Sequence, residues 1–422
     1  MADLHARVAA IWRIEGARVV ATLARVTGDV GLAEDLAQDA VIAALEQWDA
    51  DGVPANPGAW LTAVAKRRAI DAWRRRDRLE ERYRELARNL EEARDDEWRP
   101  IGDDVLRLVF TACHPVLSRE SQVALTLRVV GGLTSVEIGR MLLSPVATVQ
   151  QRITRAKRTL AEAHVPFETP EPNEWPQRLS GVLGVVYLVF TEGYAATAGD
   201  AWMRPDLANE ALRLGRVLAG LLPREPEVHA LVALMEFQAS RFGARTDAAG
   251  NPILLADQER GRWDLAQIRR GSASLARADA LGRGRGSYSL QAAIAQCHAL
   301  ASSVESTDWD RIVLLYEALG NLAPNPIVDL NRAVAVSMAT GPASALRIVD
   351  ELAAAGALRG SHLLPSVRGE LLARLGRREE ARVELIAAAE LTQNEREKHA
   401  LILKAEALTP FEIQDRGGRT AH

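Results

Sequence analysis

LTSVEIGRMLLSPVATVQQRITRAKRTL, residues 133–160, holds two helices and the break between them. Thr134 followed by Glu137 forms a capping box, and Val136, Ile138 and Leu142 supply the apolar contacts of the short helix it opens. Ser144-Pro145 provides a helix cap and a first-position proline, so the chain restarts a helix after a short turn. That pattern predicts a helix-turn-helix. Along the second helix Val149, Ile153, Ala156 and Leu160 make one apolar stripe, while Thr148, Gln151, Arg152 and Arg155 project from the other face. Arg and Gln suit bidentate hydrogen bonds to guanine and adenine edges in the major groove, and Lys157 and Arg158 are placed for phosphates. A basic amphipathic helix can also be a plain solvated face. Here the cap, the turn and a local excess of positive charge occur together, and the combination favours DNA.

The charge of the whole chain hides this. With 52 Lys and Arg against 56 Asp and Glu, the 422 residues carry a net charge of −4, which by itself argues against nucleic acid. Residues 1–165 hold 24 basic and 24 acidic side chains, so the negative excess lies in residues 166–422, with 28 and 32. Within the neutral part, residues 60–78 carry seven Lys or Arg against Asp71 and Asp77, and residues 105–165 carry eight against Glu120, Glu137 and Glu162. Between these segments, residues 79–104 contain ten acidic residues and five arginines. Two basic modules joined by an acidic tether is the organisation these counts predict.

Helical periods dominate on either side. Leu32, Leu36, Ala40 and Ala43 mark one stripe with Ala33, Ala37, Val41 and Ala44 beside it, and Glu34, Asp35, Gln38 and Asp39 fall on the opposite side. DADGVPANPG, residues 49–58, ends that helix, and Trp60 to Arg76 forms a second long one. PFETPEPNEWP, residues 166–176, has four prolines and predicts a linker at a domain boundary. Beyond it, Gly369, Leu372, Gly376, Ala381, Leu385 and Ala388 fall where a tetratricopeptide repeat places its small and large packing residues. Ala333, Val336, Gly341, Ala345, Val349 and Leu352 repeat the pattern about 36 residues earlier. Residues 301–410 therefore predict stacked helical hairpins, residues 177–300 a helical extension without a repeat, and residues 411–422 a flexible basic tail.

The segment NPGAWLTAVAKRRAIDAWRRRDR, residues 56–78, joins a basic face to Trp60 and Trp73. Exposed rings beside arginines suit single-stranded DNA, because rings stack on bases while guanidiniums hold phosphates. Packing on the preceding helix explains Trp73 better than stacking does, and for Trp60 the two readings are balanced.

Together these residues resemble the bacterial extracytoplasmic-function (ECF) sigma factors. GDVGLAEDLAQDAVIAAL, residues 28–45, is similar to the acidic helix of their region 2. Trp60, Leu61, Ala65, Ala69, Ile70 and Asp71 match the helix that follows it, and residues 115–160 resemble region 4. The resemblance covers residues 5–163, with Arg67 where the family usually has Asn and Leu143 where its turn usually has Gly. It implies region 2 over 1–78, an acidic linker over 79–104, region 4 over 105–165 and a Pro-rich linker over 166–176. The repeat-bearing extension further resembles ECF group 42. The family resemblance implies core RNA polymerase as partner, with Asp35, Gln38 and Asp39 contacting the β′ clamp helices. It implies that residues 49–58 capture a flipped base of the −10 element, with Trp60, Lys66, Arg67, Arg74, Arg75 and Arg76 along that strand. Thr148, Gln151, Arg152, Arg155, Lys157 and Arg158 would then read the −35 duplex of promoter DNA.

Other classes fit less well. Only 5% of residues are aromatic, on an Ala-, Leu- and Arg-rich background, which favours an all-α chain. The longest charge-free apolar stretch, Leu179 to Thr191, has 13 residues, short of the roughly 18 to 20 a bilayer requires. No membrane partner is expected. Cys113 and Cys297 lie far apart and the N-terminus lacks a signal-peptide core, which points to a reducing cytoplasm. Cys113-His114 has no second Cys/His pair at ligand spacing, so neither a metal nor another cofactor is expected, and no catalytic constellation is visible. The expected function is transcription initiation, dependent on or regulated by the C-terminal helices, whose repeats offer a surface for a protein partner. An ordinary helix-turn-helix regulator with a ligand- or protein-sensing repeat domain is the alternative, and it has no need of the second basic module.

Overall fold

The computed structural model describes residues 2–75, 102–142, 144–194, 203–247, 251–253, 255–392 and 394–408. Among these residues the secondary structure is α-helix and short 3-10 turns, with one isolated bridge between Thr246 and Pro252 and no strand. The all-α expectation holds. The described residues fall into two compact units, those within Met1–Gly193 and Pro205–Pro223, and those within Tyr194–Arg204 and Arg224–His422.

In the first unit α1 (Ala2–Thr27), α2 (Val30–Asp51) and α3 (Pro57–Arg75) pack on one another. Val19, Val20 and Leu23 of α1, Leu36 and Ala40 of α2, and Leu61 and Ala65 of α3 are buried. The join between α1 and α2 is tight because Gly28 takes φ +68°, and the Asp29 side chain accepts from the backbone N–H groups of Gly31 and Leu32 at 2.7 and 3.1 Å. The loop expected over 49–58 is shorter than that. Helix α2 continues to Asp51, and the Asn56 side chain accepts from Ala59 N at 3.1 Å to start α3, so only residues 52–56 lie outside helices.

Four helices follow: α4 (Gly102–Ala112), α5 (Arg119–Val129), α6 (Ser135–Met141) and α7 (Val146–Glu162). Helix α1 packs on α4 and α5 as well as on α2 and α3. The buried Asp104 is held by Arg25, Nε to Oδ2 at 3.0 Å, and by Arg107, Nη1 to Oδ1 at 2.5 Å.

The Pro-rich segment is not where the unit ends. Helices α8 (Trp175–Tyr194) and α9 (Pro205–Leu221) belong with what precedes them, apart from Tyr194 itself. Trp175 packs on Phe110 with ring centroids 5.1 Å apart, and Arg178 Nη2 donates to the Phe110 carbonyl at 3.2 Å. Arg213 donates to the carbonyls of Val130 and Gly131 while binding the buried Glu210. Prolines predicted an extended connection, and the connection is present, but its sequence carries no information about the docking of the helix after it.

The second unit contains α10 (Pro226–Ala239), α11 (Leu265–Ala280) and α12 (Ser287–Leu300). There follow α13 (Trp309–Leu322), α14 (Pro326–Ala339), α15 (Pro342–Ala354), α16 (Leu363–Arg374), α17 (Arg378–Leu391) and α18 (Glu395–Ala407), each packed on the next. Ala333, Ala345, Val349, Leu372 and Ala381 share one core cluster, with Leu385 and Ala388 in the next. Gly369 lets α16 approach α17, since a Cβ there would stand 2.9 Å from Leu385 Cγ. Gly341 and Gly376 take φ +103° and +77° at corresponding turns, a conformation that a side chain disfavours.

Candidate nucleic-acid and polymerase interface

The helix-turn-helix is assembled from α5, α6 and α7. Glu137 Oε2 accepts from Thr134 N at 2.7 Å and from Thr134 Oγ1 at 2.8 Å, and Glu137 N donates back to Thr134 Oγ1 at 3.2 Å. The capping box is therefore complete, and Arg13 of α1 donates to Glu137 Oε1 at 2.9 Å. The second cap differs from expectation: Pro145, not Ser144, occupies the N-cap position of α7, with no side-chain bond, and Ser144 Oγ donates to Leu142 O. Ser144 N donates to Gly139 O at 2.9 Å, and a Cβ on Gly139 would meet Ser144 O at 2.8 Å. Gly139 thus permits the close approach of the turn, whose Leu143 lies outside the described residues.

Val149, Ile153, Ala156 and Leu160 of α7 are buried. Gln151, Arg155 and Arg158 are exposed, and Thr148 and Arg152 are half-buried. Arg158 Nε stands 3.4 Å from Glu162 Oε1, and Arg155 makes no ion pair among the described residues. Lys157 points elsewhere. Its Nζ donates to Glu34 Oε2 at 2.5 Å and to Asp35 Oδ1 at 2.8 Å, which joins α7 to α2. Burial opposes the ammonium, but the Glu34 and Asp35 carboxylates outweigh it and raise the Lys157 pKa above the ordinary lysine value.

The acidic face of α2 therefore divides. Glu34, expected to face outward, is buried at 4% exposure and held between Arg128 Nε, 2.8 Å from Oε1, and Lys157. Sequence spacing contained the clue: Glu34 precedes the buried Ala37 by three residues and therefore shares its side of the helix. Asp35 and Asp39 are exposed and Gln38 is half-buried. Asp39 makes no ion pair among the described residues, although its carbonyl accepts from Arg68 Nη1 at 2.8 Å.

On α3, Trp60 is half-buried and meets the buried Trp48 edge to face at 5.1 Å. Lys66 is half-buried and Arg67 exposed. Arg74 and Arg75 belong to the last turn of α3, while Arg76, the tether through residue 101 and the tail from residue 409 lie outside the described residues. The Cys113 thiol is buried against Thr126 Oγ1 at 3.4 Å, and burial pushes its pKa up to about 11. That fits a packed helix end rather than a metal ligand. Among the described residues, three or more His, Cys, Asp or Glu are nowhere grouped to hold a metal ion, and no helix is long and apolar enough to cross a membrane.

A helix-turn-helix with an outward polar face, packed in one unit with a three-helix module that carries exposed carboxylates on one helix and basic residues on another, defines a DNA-binding transcription factor. Residues 12–79 match Sigma-70 region 2 and residues 107–160 match Sigma-70 region 4. The chain is 32% identical over 152 residues to the ECF RNA polymerase sigma factor SigK of Mycobacterium ulcerans (strain Agy99), spanning 34% of this chain and 78% of SigK. Over 150 residues it is 31% identical to SigK of Mycobacterium tuberculosis (strain ATCC 25618 / H37Rv), with the same coverage. It belongs to the ECF RNA polymerase sigma factors and carries a C-terminal helical extension. Residues 178–279 match a family of unknown function, DUF6596. The chain is also 42% identical over 391 residues to an uncharacterized protein of Rhizobium meliloti (strain 1021), spanning 89% of this chain and 90% of that one. No solved structure matches.

Proposed function

We propose that this sigma factor binds the β′ clamp helices of core RNA polymerase through Asp35, Gln38 and Asp39 and directs the enzyme to promoters. Helix α7 reads the −35 duplex through Thr148, Gln151, Arg152, Arg155 and Arg158. Helix α3 and residues 52–56 hold the melted −10 strand, with Trp60, Lys66, Arg67, Arg74, Arg75 and Arg76 beside it. Lys157 must release Glu34 and Asp35 before it reaches a phosphate. The observation that carries the reading is the polarity of α7, whose apolar stripe is fully used inside the unit while Gln151 and Arg155 are left exposed. The reaction class is initiation, not catalysis, and the compartment is the cytoplasm.

Transcription in vitro with purified core polymerase tests it. Arg152→Ala and Arg155→Ala are each expected to weaken use of one upstream element by about 1–3 kcal/mol, the worth of a base-edge contact. Both arginines lie on the polar face of α7, so the fold is retained. Normal initiation by both variants on every template sinks the assignment of α7.

The extension belongs to the same function. Its helices α13–α18 form a tetratricopeptide-like array whose surface suits a protein partner. Removing residues 224–422, which leaves the first compact unit intact, is expected to change promoter-dependent transcription at fixed protein concentration. A 1–223 fragment that folds, binds core polymerase and transcribes like the full chain refutes this dependence.

A further inference from the structure

The second unit holds a cavity of about 550 Å³, within the span of roughly 300–1,000 Å³ common to small-molecule sites. Helices α14 and α16 supply Val334, Met338, Val367 and Leu371 to its wall, and Val304 and Trp309 also line it. Lys404 of α18 and Glu370 of α16 also line it, 2.7 Å apart, and neutralise each other.

Two guanidiniums in this wall make no such ion pair, although the exposed Glu305 carboxylate lies near enough to Arg260 to act on it. Arg260 donates from Nη1 to the His298 and Ala301 carbonyls at 2.5 and 2.9 Å, and from Nη2 to Thr307 Oγ1 at 3.3 Å. Its guanidinium lies 4.8 Å from the Trp263 ring centroid. Arg374 donates from Nη1 to Ser337 Oγ and Met338 Sδ, and from Nη2 to Ser337 O at 3.2 Å. Every one of these acceptors is neutral, and neither arginine makes an ion pair among the described residues. A guanidinium has five N–H donors, so each arginine keeps its Nε–H and one Nη2–H. That is the pair with which Arg285 holds Asp279, at 2.9 and 2.8 Å, and Arg377 holds Glu380, at 2.7 and 2.6 Å. His298 adds no charge near neutral pH, because burial, with Arg241 and Arg260 nearby, pushes its pKa down to about 4.

We propose that this cavity binds a small anionic amphiphile, a carboxylate on an apolar body, with the carboxylate on Arg260 and Arg374 and the apolar part against Trp309, Val334, Val367 and Leu371. Charge complementarity selects the anion: a cation would meet two guanidiniums that no ion pair holds, and a neutral hydrocarbon would offer their remaining N–H groups no charged acceptor. The site lies wholly within the second unit. It goes beyond the initiation function and does not depend on it.

Titration calorimetry on the full chain tests the site directly, with dodecanoate, dodecan-1-ol and dodecylamine as matched probes near neutral pH. Dodecanoate is expected to bind saturably with one site, at least about tenfold more tightly than the alcohol, and the amine not at all. Arg374→Gln is expected to cost dodecanoate at least about tenfold while the alcohol changes little. Val334→Trp, which fills the cavity, is expected to abolish binding of both. Melting temperature reports whether each variant is folded, and either variant alone suffices. The proposal is overturned by absence of dodecanoate binding to the native chain, by equal affinity for acid, alcohol and amine, or by indifference to a folded variant. A short acidic peptide that displaces dodecanoate and binds more tightly would also overturn it, in favour of a protein ligand.

Discussion

Replacing Asp35 and Asp39 together by lysine is expected to abolish co-elution with core RNA polymerase while the protein stays folded. The two carboxylates stand four residues apart on the exposed edge of α2, and the double reversal sets like charges against the basic partner surface that such an edge suits. Like-charge juxtaposition across an interface costs several kcal/mol, enough to remove binding at micromolar concentrations. Asp35 also accepts from Lys157, so its reversal disturbs the joint between α2 and α7. Asp39→Lys alone separates the two effects, because the Asp39 carboxylate makes no ion pair among the described residues. It is expected to weaken polymerase binding severely with no change in melting temperature. Unchanged co-elution of both variants removes the polymerase assignment of α2.

Glu34→Ala is expected to destabilise the first unit by about 3 kcal/mol, because it strands the charges of Arg128 and Lys157. Those side chains are 16% and 17% exposed and that of Glu34 is 5% exposed, so water cannot fully replace the lost carboxylate. Asp35→Ala serves as the control. Its side chain is 71% exposed, and losing an ion pair of that kind costs about 1 kcal/mol or less. Urea denaturation of the full chain, followed by the fluorescence of Trp48 and the other tryptophans, measures both. A Glu34→Ala loss no larger than the Asp35→Ala loss means that the bridge between α2 and α7 is not a structural element.

The two variants bear on one feature from opposite sides. Helix α2 uses successive carboxylates for different purposes: Glu34 as an internal tie to α5 and α7, Asp35 as a partly solvated companion to it, and Asp39 as an exposed charge. Assigning all of them to one outward face overlooks that Glu34 stands three residues before the buried Ala37, on the inner side of the helix. Periodicity reports angle around the helix axis. It does not report which neighbouring helix occupies that angle.

The helix-turn-helix was legible because its determinants are local. Thr134 and Glu137 are three residues apart, and Val149, Ile153, Ala156 and Leu160 repeat at the helical period, so the pattern follows from backbone geometry alone. The positive φ of Gly341 and Gly376 was not read from the sequence, where both stood only as small residues of a repeat. Tertiary structure decided everything that desolvation brings together across long separations. Arg128 and Glu34 are 94 residues apart and Lys157 and Glu34 are 123 apart, and no local preference couples them. The attachment of α8 and α9 to the first unit likewise rests on Phe110, Trp175 and Arg213 meeting partners far along the chain. Arg260 and Arg374 come to line one cavity only because the stacked helices close around it. In sequence each is one arginine among many, and what distinguishes them is that neither is held in an ion pair among the described residues, a property that exists only once the chain has folded.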